Sequence, residues 1–383
     1  MVNNTLNALH HFTQARRVVV KIGSNVLTRD QGLNLPVIES ISHEICHLIA
    51  SGRQVILVSS GAMAAGMRKL ALARRPEAIP ARQAIAAVGQ AGLILAYENA
   101  FARDGRKVAQ ILLTAEDMTS RKRYLNARNT LNTLLEWGVV PIINENDTVM
   151  VDEIKFGDND NLAAVIALLM DSDLLINLTD IDGLYNKDPR VFADAQLLPE
   201  VETIGKPIER YASDIPGALG TGGMLTKIKA ARKVTAAGIP MVIANGTRSD
   251  ILGRLFSEPM PGTFFIPRKE RLSSRKCWLA YSLKPKGAIT IDDGAAKALQ
   301  GQGKSLLPSG IVRVIGEFSV GDPVQVIDAE GTILGNGLVN YAASDIRKIK
   351  GLKTGQIARC LGEKPYDEII HRDNLVLTRD ALV

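Results

Sequence analysis

Short apolar runs alternate with longer stretches of helical periodicity through the first 265 residues, and this alternation is the feature that most constrains the fold of the chain. The runs that predict buried strands are residues 18–22, 55–58, 108–112, 139–144, 174–178 and 241–244. The stretches that predict helices are residues 36–50, 82–103, 124–137, 159–170 and 226–237. Alternating elements of this kind predict an α/β fold, a three-layer sandwich whose mostly parallel central sheet is covered on both faces.

The pattern changes after Gly262, where a basic segment at residues 266–276 carries a local net charge of +4, most of the +6 of the whole chain. Beyond it, short apolar runs with frequent glycine turns predict strands at residues 289–291, 311–315, 324–327 and 332–335. We therefore expect an α/β domain at residues 14–265, a basic linker at 266–286 and a small, mostly β domain at 287–370. Residues 277–383 carry a net charge of only +1, so we do not expect RNA as the main partner.

Membrane and exported proteins are disfavoured by simple features of the chain. The longest purely apolar run, residues 162–170, is far shorter than a membrane span of about 20 residues, so no transmembrane helix or membrane partner is predicted. Residues 1–13 have neither the basic start nor the apolar centre of an export signal. The three cysteines are scattered, as is typical of a reducing compartment: Cys46, Cys277 and Cys360. We expect a cytoplasmic protein.

Polar and glycine-rich turns follow several of the predicted strands. Any one of them is more often a helix cap or a turn former than part of a binding site. In a parallel sheet, however, the carboxyl ends of the strands meet at one edge, where ligands bind. The polar residues that this rule brings together are Lys21, Ser60, Asp147, Asp158, Asn159, Asp160, Thr179 and Asp180.

A glycine-rich stretch at residues 220–227 ends in Lys227 and opens onto a predicted helix, which is an arrangement suited to phosphate. The chemistry that these groups could support is phosphoryl transfer, which needs positive charge on the moving group, a divalent metal and alignment. Lys21 and Lys227 supply the charge. Asp158 and Asp160 would either hold Mg²⁺, directly or through water, or hold the lysines in place, and the residues alone do not choose between these roles. The chain has no Walker A loop, whose pattern is G-x-x-x-x-G-K-[S/T]. The nearest match ends in G-K-S at residues 303–305, but it has Ala298 where the motif requires its first glycine.

A second motif, H-E-x-x-H at residues 43–47, matches the signature of zinc proteases. The apolar stripe of the helix that carries it, at residues 38, 41, 45 and 48, leaves His43 and His47 on the opposite, solvent-facing side. We therefore expect no zinc site here.

The motifs, in their order and spacing, closely resemble the amino acid kinase family, and within it the members that phosphorylate glutamate. Those that carry the resemblance are K-I-G-S at 21–24, V-S-S-G-A at 58–62, I-N-E-N-D at 143–147, G-D-N-D-N-L at 157–162, L-T-D at 178–180 and G-T-G-G-M-L-T-K at 220–227. Residues 287–362, with S-L-L-P-S-G at 305–310, resemble a PUA domain. The resemblance implies the amino acid kinase fold with a small, mostly β PUA-like domain appended.

The resemblance also implies an activity and a set of site residues. It implies transfer of the γ-phosphoryl group of ATP, with Mg²⁺, to the side-chain carboxylate of L-glutamate, giving L-glutamate 5-phosphate in the first step of L-proline biosynthesis. The implied catalytic residues are Lys21, Lys227 and Asp160, with Asp160 orienting the lysines. Those implied for the nucleotide are Lys21, Thr179, Asp180, Thr221, Gly222, Gly223, Met224, Leu225, Thr226 and Lys227. Those implied for glutamate are Ser60, Asp147, Asp158 and Asn159, and no residue is assigned as a metal ligand.

The chemistry of the acceptor agrees with this assignment. A glutamate side chain, with a reference pKa of about 4.3, is ionised at neutral pH and needs no general base, which fits the lack of histidine in these motifs. Kinases of the same family that act on acetylglutamate, aspartate, carbamate or UMP are the alternatives, and residues 144–147 with the appended domain favour free glutamate. From the resemblance we further expect a homo-oligomer, dimer or tetramer, feedback inhibition by L-proline, and contact with glutamate-5-semialdehyde dehydrogenase, which would take over the reactive product.

Overall fold

The computed structural model describes residues 9–29, 32–149, 159–213, 223–257, 261–268, 276, 279, 283 and 285–378. The chain divides into two compact units, residues 1–270 and 271–383. Each unit has its own cluster of buried apolar side chains.

The first unit is organised around a large sheet. Its strands are β1 Arg17–Ile22, β4 Gln54–Ser59, β5 Val108–Leu113, β6 Val140–Glu145, β7 Leu174–Thr179, β8 Glu200–Val201, β9 Met241–Asn245 and β10 Thr263–Phe265, with β2 Thr28–Arg29 and β3 Gly32–Leu33 forming a separate hairpin. Over the described ranges the eight strands of the sheet run in the order β5-β6-β4-β1-β7-β9-β10-β8. Neighbouring strands are parallel except β9 and β10, which are antiparallel. The mostly parallel sheet predicted from the sequence is confirmed, and the six predicted strands match the observed bounds to within a residue.

Helices connect these strands. They are α1 Ser24–Leu27, α2 Leu35–Ala50, α3 Ala62–Lys69, α4 Ile79–Ala102, α5 Ala115–Thr119, α6 Arg121–Glu136, α7 Asn159–Leu169, α8 Lys206–Ser213, α9 Met224–Ala236 and α10 Ile251–Ser257. The five predicted helices correspond to α2, α4, α6, α7 and α9. The sequence did not predict α1, α3, α5, α8 and α10, because helices of eight residues or fewer hold too few turns for a clear apolar period.

Strand β1 shows how the two faces of the sheet are used. Successive side chains of a strand point to opposite faces. Val20 and Ile22 are fully buried and join the core cluster that contains Ile41 of α2 and Leu93 of α4. Lys21, between them, points to the other face, where α7 packs on β1 and α9 packs on α7. This alternation brings a lysine from the centre of the sheet to the start of α7.

Among the described residues, α4 is long and apolar enough to cross a membrane by length and composition, with a mean hydropathy of 1.2. The core helix of a soluble protein passes the same test. Tyr97 and Phe101 of α4 are fully buried in the core of the first unit. The helix also packs closely on α3, because a Cβ atom at Gly89 would stand 1.8 Å from the carbonyl oxygen of Ala62.

The second unit is a small sheet with short helices. Its strands are β11 Gly287–Ile291, β12 Ile311–Gly316, β13 Pro323–Ile327, β14 Ile333–Leu338 and β15 Leu375–Leu377, and its helices are α11 Asp293–Gln302, α12 Ala343–Ile349 and α13 Ile357–Leu361. In the part of this unit that is described, the five strands run in the order β12-β11-β13-β14-β15. Strands β11 and β13 are parallel and the other neighbours antiparallel. A separate, mostly β unit is confirmed, although β15 and the helices were not predicted.

Candidate active site

The carboxyl end of β1 lies at the centre of the candidate site. Lys21 pairs in parallel register with Asn177 of β7, so both side chains emerge on the same face of the sheet. In the following turn, the N–H of Gly23 donates to the carbonyl oxygen of Leu178 at 2.9 Å. A Cβ atom at Gly23 would stand 3.3 Å from that oxygen and 3.7 Å from the Nζ of Lys21. Glycine therefore lets the turn pass close to the lysine.

Asp160, in the first turn of α7, joins two lysines. Lys21 Nζ lies 2.5 Å from Asp160 Oδ1, and Lys227 Nζ lies 3.0 Å from Oδ2. Asn177 Nδ2 donates to Oδ1 at 2.8 Å, and Thr226 Oγ1 donates to Oδ2 at 2.8 Å. Asp160 is fully buried, and the lysines are only 4% and 5% exposed. Elements far apart in the chain thus converge on one carboxylate.

The electrostatics of Asp160 follow from these contacts. Burial alone would raise the pKa of its carboxyl group, but the charges of Lys21 and Lys227 and the hydrogen bonds from Lys21 and Asn177 bring that pKa well below 3.8. A buried charge persists only when it is paired and hydrogen-bonded. Asp160 is therefore an anion that holds two ammonium groups in place.

Asn159, the residue before Asp160, faces a different set of groups. Its Nδ2 lies 2.9 Å from Ser60 Oγ, 2.9 Å from Asn144 Oδ1 and 3.0 Å from the carbonyl oxygen of Ser59. Ser60 follows β4, where Gly61 has a φ of +106° and lets the chain turn sharply into α3. The start of α7 thus contacts the ends of β4 and β6 as well as the lysines of β1 and α9.

Three further predicted residues lie at strand ends. Asp147 begins a 3₁₀ turn after β6, and burial raises the pKa of its carboxyl group while the charge of Arg75 lowers it in part. Thr179, at the end of β7, donates its hydroxyl to Asp180 Oδ1 at 3.0 Å. Asp180 is exposed, and its Oδ2 accepts from Asn25 Nδ2 at 2.9 Å.

Helix α9 begins at Met224, with Gly223 as its N-cap. Met224 and Lys227 are buried, and Leu225 and Thr226 are partly buried. Lys227 belongs to the first turn of α9 and is therefore a helix residue. Other predicted site residues lie outside the described residues, namely Asp158, Thr221 and Gly222.

The sequence reasoning did not assign three residues that support this site. Asn177 donates to Asp160, and Asn144 accepts from Asn159. Tyr97 is fully buried, and its hydroxyl oxygen lies 2.9 Å from Ser59 Oγ. Asn177 could have been found from its pattern, since it interrupts an otherwise apolar run in β7. Tyr97 carries no such signal, because a tyrosine in an apolar helix resembles any core residue.

The arrangement has a clear chemical character. Two buried ammonium groups share one carboxylate beside the N-terminus of α9, whose backbone N–H groups favour anions. Hydroxyl and amide groups of Ser60 and Asn144 gather at Asn159, the residue before Asp160. No group of three or more His, Cys, Asp or Glu side chains within the described ranges is placed to hold a metal ion. The site therefore suits a phosphate-bearing ligand next to a second, polar ligand.

Comparison with known proteins agrees with this character. The model of the amino acid kinase family matches residues 16–245, and that of the PUA domain matches residues 287–361. The chain is 52% identical over 364 residues to the glutamate 5-kinase of Syntrophus aciditrophicus, covering 95% of this chain and 94% of the relative. It is 52% identical over 366 residues to the glutamate 5-kinase of Geobacter sulfurreducens, covering 95% and 98%. Among solved structures, the carbamate kinase of Giardia lamblia bound to AMP-PNP aligns with 67% of this chain and 100% of its own, with a TM-score of 0.48 and 17% identity.

These matches extend over nearly the whole chain and include both units. The resemblance seen in the motifs is confirmed, because about half of the aligned residues are identical over nearly the full length of both relatives. The chain belongs to the amino acid kinase family, in its glutamate 5-kinase branch, and carries a PUA domain.

Proposed function

We propose that this chain transfers the γ-phosphoryl group of ATP to the side-chain carboxylate of L-glutamate, giving L-glutamate 5-phosphate and ADP in the first step of L-proline biosynthesis. Its similarity to proteins named glutamate 5-kinase supports the proposal. The single observation that carries it is the start of α7. There, the consecutive residues Asn159 and Asp160 contact Ser60 after β4 and a pair of buried lysines, respectively.

On the nucleotide side, Lys21 and Lys227 would contact the phosphates of ATP. Both ammonium groups are held by Asp160, at 2.5 Å and 3.0 Å, so little reorganisation is needed when charge develops on the moving phosphoryl group. The remaining nucleotide contacts would come from the end of β7 and the start of α9, through Thr179, Asp180, Gly223, Met224, Leu225 and Thr226. Thr221 and Gly222 complete the proposed set.

On the acceptor side, Ser60, Asp147 and Asn159 would bind glutamate, with Asp158 beside them. Ser60 and Asn159 offer a hydroxyl and an amide that can bind carboxylate oxygens. Burial raises the pKa of Asp147, and an α-ammonium group placed next to it would favour its ionised form. These side chains thus offer partners both for the carboxylates and for the α-ammonium group of a free amino acid.

The chemical step needs no general base. A carboxylate oxygen of glutamate attacks the γ-phosphorus, the bond from that phosphorus to the β,γ-bridging oxygen breaks, and ADP leaves with the bond's electron pair. Since the nucleophile is already ionised, no proton has to be removed. The lysines neutralise the charge that the three γ-oxygens and the bridging oxygen carry.

Mg²⁺ would accompany ATP. The described residues do not provide a protein cage for it, because Asp160 accepts from Lys21, Lys227, Asn177 and Thr226. Magnesium sites in kinases commonly rely on substrate phosphates and water with few carboxylates. We therefore assign Asp160 to the lysines and not to the metal.

Further expectations rest on the family resemblance. We propose that the protein works in the cytoplasm as a homo-oligomer, dimer or tetramer, and that L-proline inhibits it. Because an acyl phosphate is reactive toward water and toward its own amine, we also propose hand-over to glutamate-5-semialdehyde dehydrogenase. Rapid mixing with that dehydrogenase tests the last proposal, since a hand-over predicts faster conversion of enzyme-made product than of free product.

The proposed reaction is tested by trapping its product. Incubation with ATP, Mg²⁺ and L-glutamate in the presence of hydroxylamine should yield glutamyl hydroxamate. L-Aspartate and N-acetyl-L-glutamate serve as controls and should yield far less. Equal or greater turnover of either control would contradict the assignment to free glutamate.

A further inference from the structure

The H-E-x-x-H motif at residues 43–47 takes no part in the proposed kinase reaction, yet its two histidines are arranged in a specific way. Both lie on the exposed face of α2, one turn apart. The Nε2 atoms of His43 and His47 are 3.0 Å apart, and the two rings are nearly perpendicular. This pair was expected to face solvent, and the structure confirms that. It was also expected to bind no zinc, an expectation that the geometry of the pair leads us to revise.

Glu44 shows that the motif is not a protease site. Its Oε2 accepts from the backbone N–H of Leu252 at 2.8 Å, and its Oε1 accepts from Ser40 Oγ at 3.1 Å. The residue is only 7% exposed and ties α2 to the start of α10. A buried glutamate whose two carboxylate oxygens accept from Leu252 and Ser40 is not placed to act as a base on water at the exposed histidines.

The spacing of the two imidazoles fits shared coordination of one metal ion. With metal–nitrogen bonds of about 2.05 Å, two cis nitrogens are about 2.9 Å apart at a right angle and about 3.3 Å apart in a tetrahedron. The observed 3.0 Å lies between these values. In the absence of metal, the same distance accommodates one N–H···N hydrogen bond between the rings.

Asp104 prepares His43 for such a role. Its two carboxylate oxygens lie 3.0 Å and 3.1 Å from His43 Nδ1. A carboxylate only accepts, so Nδ1 carries a proton, and in the neutral imidazole the lone pair is then on Nε2, the atom that faces His47. A carboxylate behind a ligating histidine is the usual arrangement at metal sites, where it fixes the tautomer and raises the basicity of the ligand.

We propose that His43 and His47 form a binding site for a divalent transition-metal ion of borderline softness, such as Ni²⁺ or Zn²⁺, with Asp104 as the positioning residue. Because no third His, Cys, Asp or Glu completes a metal group among the residues described, water fills the remaining positions. Imidazole ligands select Zn²⁺, Ni²⁺ and Cu²⁺ over Mg²⁺, which prefers oxygen. The site is thus chemically distinct from the Mg²⁺–ATP of the proposed reaction.

Titration calorimetry of the untagged full-length protein with NiCl₂ tests the proposal, with MgCl₂ as the comparison ion. We expect one equivalent of Ni²⁺ to bind, and no comparable binding of Mg²⁺. His47→Ala should abolish the binding, and Asp104→Asn should weaken it about 10- to 100-fold. Since the side chain of His43 is 60% exposed, His43→Ala should also fold normally, as far-UV circular dichroism can verify.

His371→Ala is the matched control. The side chain of His371 is 42% exposed and lies beside a carboxylate, with Nδ1 3.5 Å from Asp373 Oδ2 and accepting from the backbone N–H of Asp373 at 3.2 Å. Its replacement should leave Ni²⁺ binding unchanged. Absence of Ni²⁺ binding, or binding that persists in a His43→Ala/His47→Ala double variant, would overturn the site. Unchanged affinity in Asp104→Asn would overturn the positioning role of Asp104. Hydroxamate formation without Ni²⁺ should be the same in wild type and His47→Ala, which separates this site from the kinase site.

Discussion

Replacing Lys227 with methionine separates the proposed catalytic contribution of this lysine from its contribution to the fold. Lys227 is 5% exposed, and its Nζ lies 3.0 Å from Asp160 Oδ2. Methionine keeps most of the side-chain volume and removes the charge. Loss of one preorganised cation from the transition state is expected to lower kcat about 10²- to 10³-fold, which corresponds to about 2.7–4 kcal/mol.

The same substitution should cost the fold less than this. Asp160 keeps Lys21, Asn177 and Thr226 as donors in the variant. The free energy of unfolding should therefore fall by about 1.5–3 kcal/mol, the usual contribution of one hydrogen bond to a charged group. Against a total stability of about 5–15 kcal/mol, the variant remains folded.

Asp160→Asn is the contrasting variant. It leaves two buried ammonium groups without their shared anion, and removing one partner of a buried ion pair typically costs about 3–5 kcal/mol. We expect stability to decrease from wild type to Lys227→Met to Asp160→Asn in urea unfolding followed by circular dichroism, with kcat measured by hydroxamate formation. Wild-type turnover in folded Lys227→Met would refute the role of the lysine, and wild-type stability in Asp160→Asn would refute the electrostatic reasoning.

Three other predictions follow from local contacts. Gly89→Ala should destabilise the protein by about 1–3 kcal/mol in urea unfolding. The new Cβ atom would stand 1.8 Å from the carbonyl oxygen of Ala62 and overpack the contact between the helices. As the control, Gly92→Ala in the same helix places its Cβ atom where nothing lies within 4 Å, and it should be neutral or stabilising. Asn159→Ala should raise the KM for glutamate about tenfold and change the KM for ATP much less, since it removes about 1.4 kcal/mol of polar contact; an increase confined to ATP would contradict the assignment. Because the pKa of Asp160 is lower in the folded protein than its ordinary value of 3.8, its contribution to stability is complete above pH 3.8 and is lost as the pH falls through the folded-state pKa. The difference in unfolding free energy between wild type and Asp160→Asn should therefore shrink as the pH is lowered below 3.8.

The sequence was sufficient to place Lys21 and Asp160 at one edge of the sheet, because parallel strands impose that geometry. Lys21, at the end of an apolar run, had to lie near the ends of the neighbouring strands. Asp160, at the start of a predicted helix, had to lie at the same edge. Their direct contact at 2.5 Å is consistent with that reasoning.

The choice of partners could not be predicted in the same way. An aspartate at such an edge can hold a metal or a lysine, and the residue types allow both. The structure favours the lysines, because Lys21 in β1 and Lys227 in α9 reach opposite oxygens of Asp160. That outcome depends on the register of β1 with β7 and on the packing of α9 against α7, which arise from long-range contacts. For the same reason the role of Asn177 was missed, although the residue itself is conspicuous in its apolar strand.

The charge of this cluster predicts that binding of ATP stabilises the folded protein. Lys21, Asp160 and Lys227 together carry a net charge of +1 in a region that is nearly inaccessible to water. Burying excess charge is costly, and the N-terminus of α9 adds partial positive charge nearby. An incoming polyphosphate would offset this charge, so part of the binding free energy would appear as stabilisation of the folded protein. We therefore expect ATP at about 100 times its Kd to raise the unfolding free energy by about 2.7 kcal/mol, and by much less in Lys227→Met at the same ATP concentration.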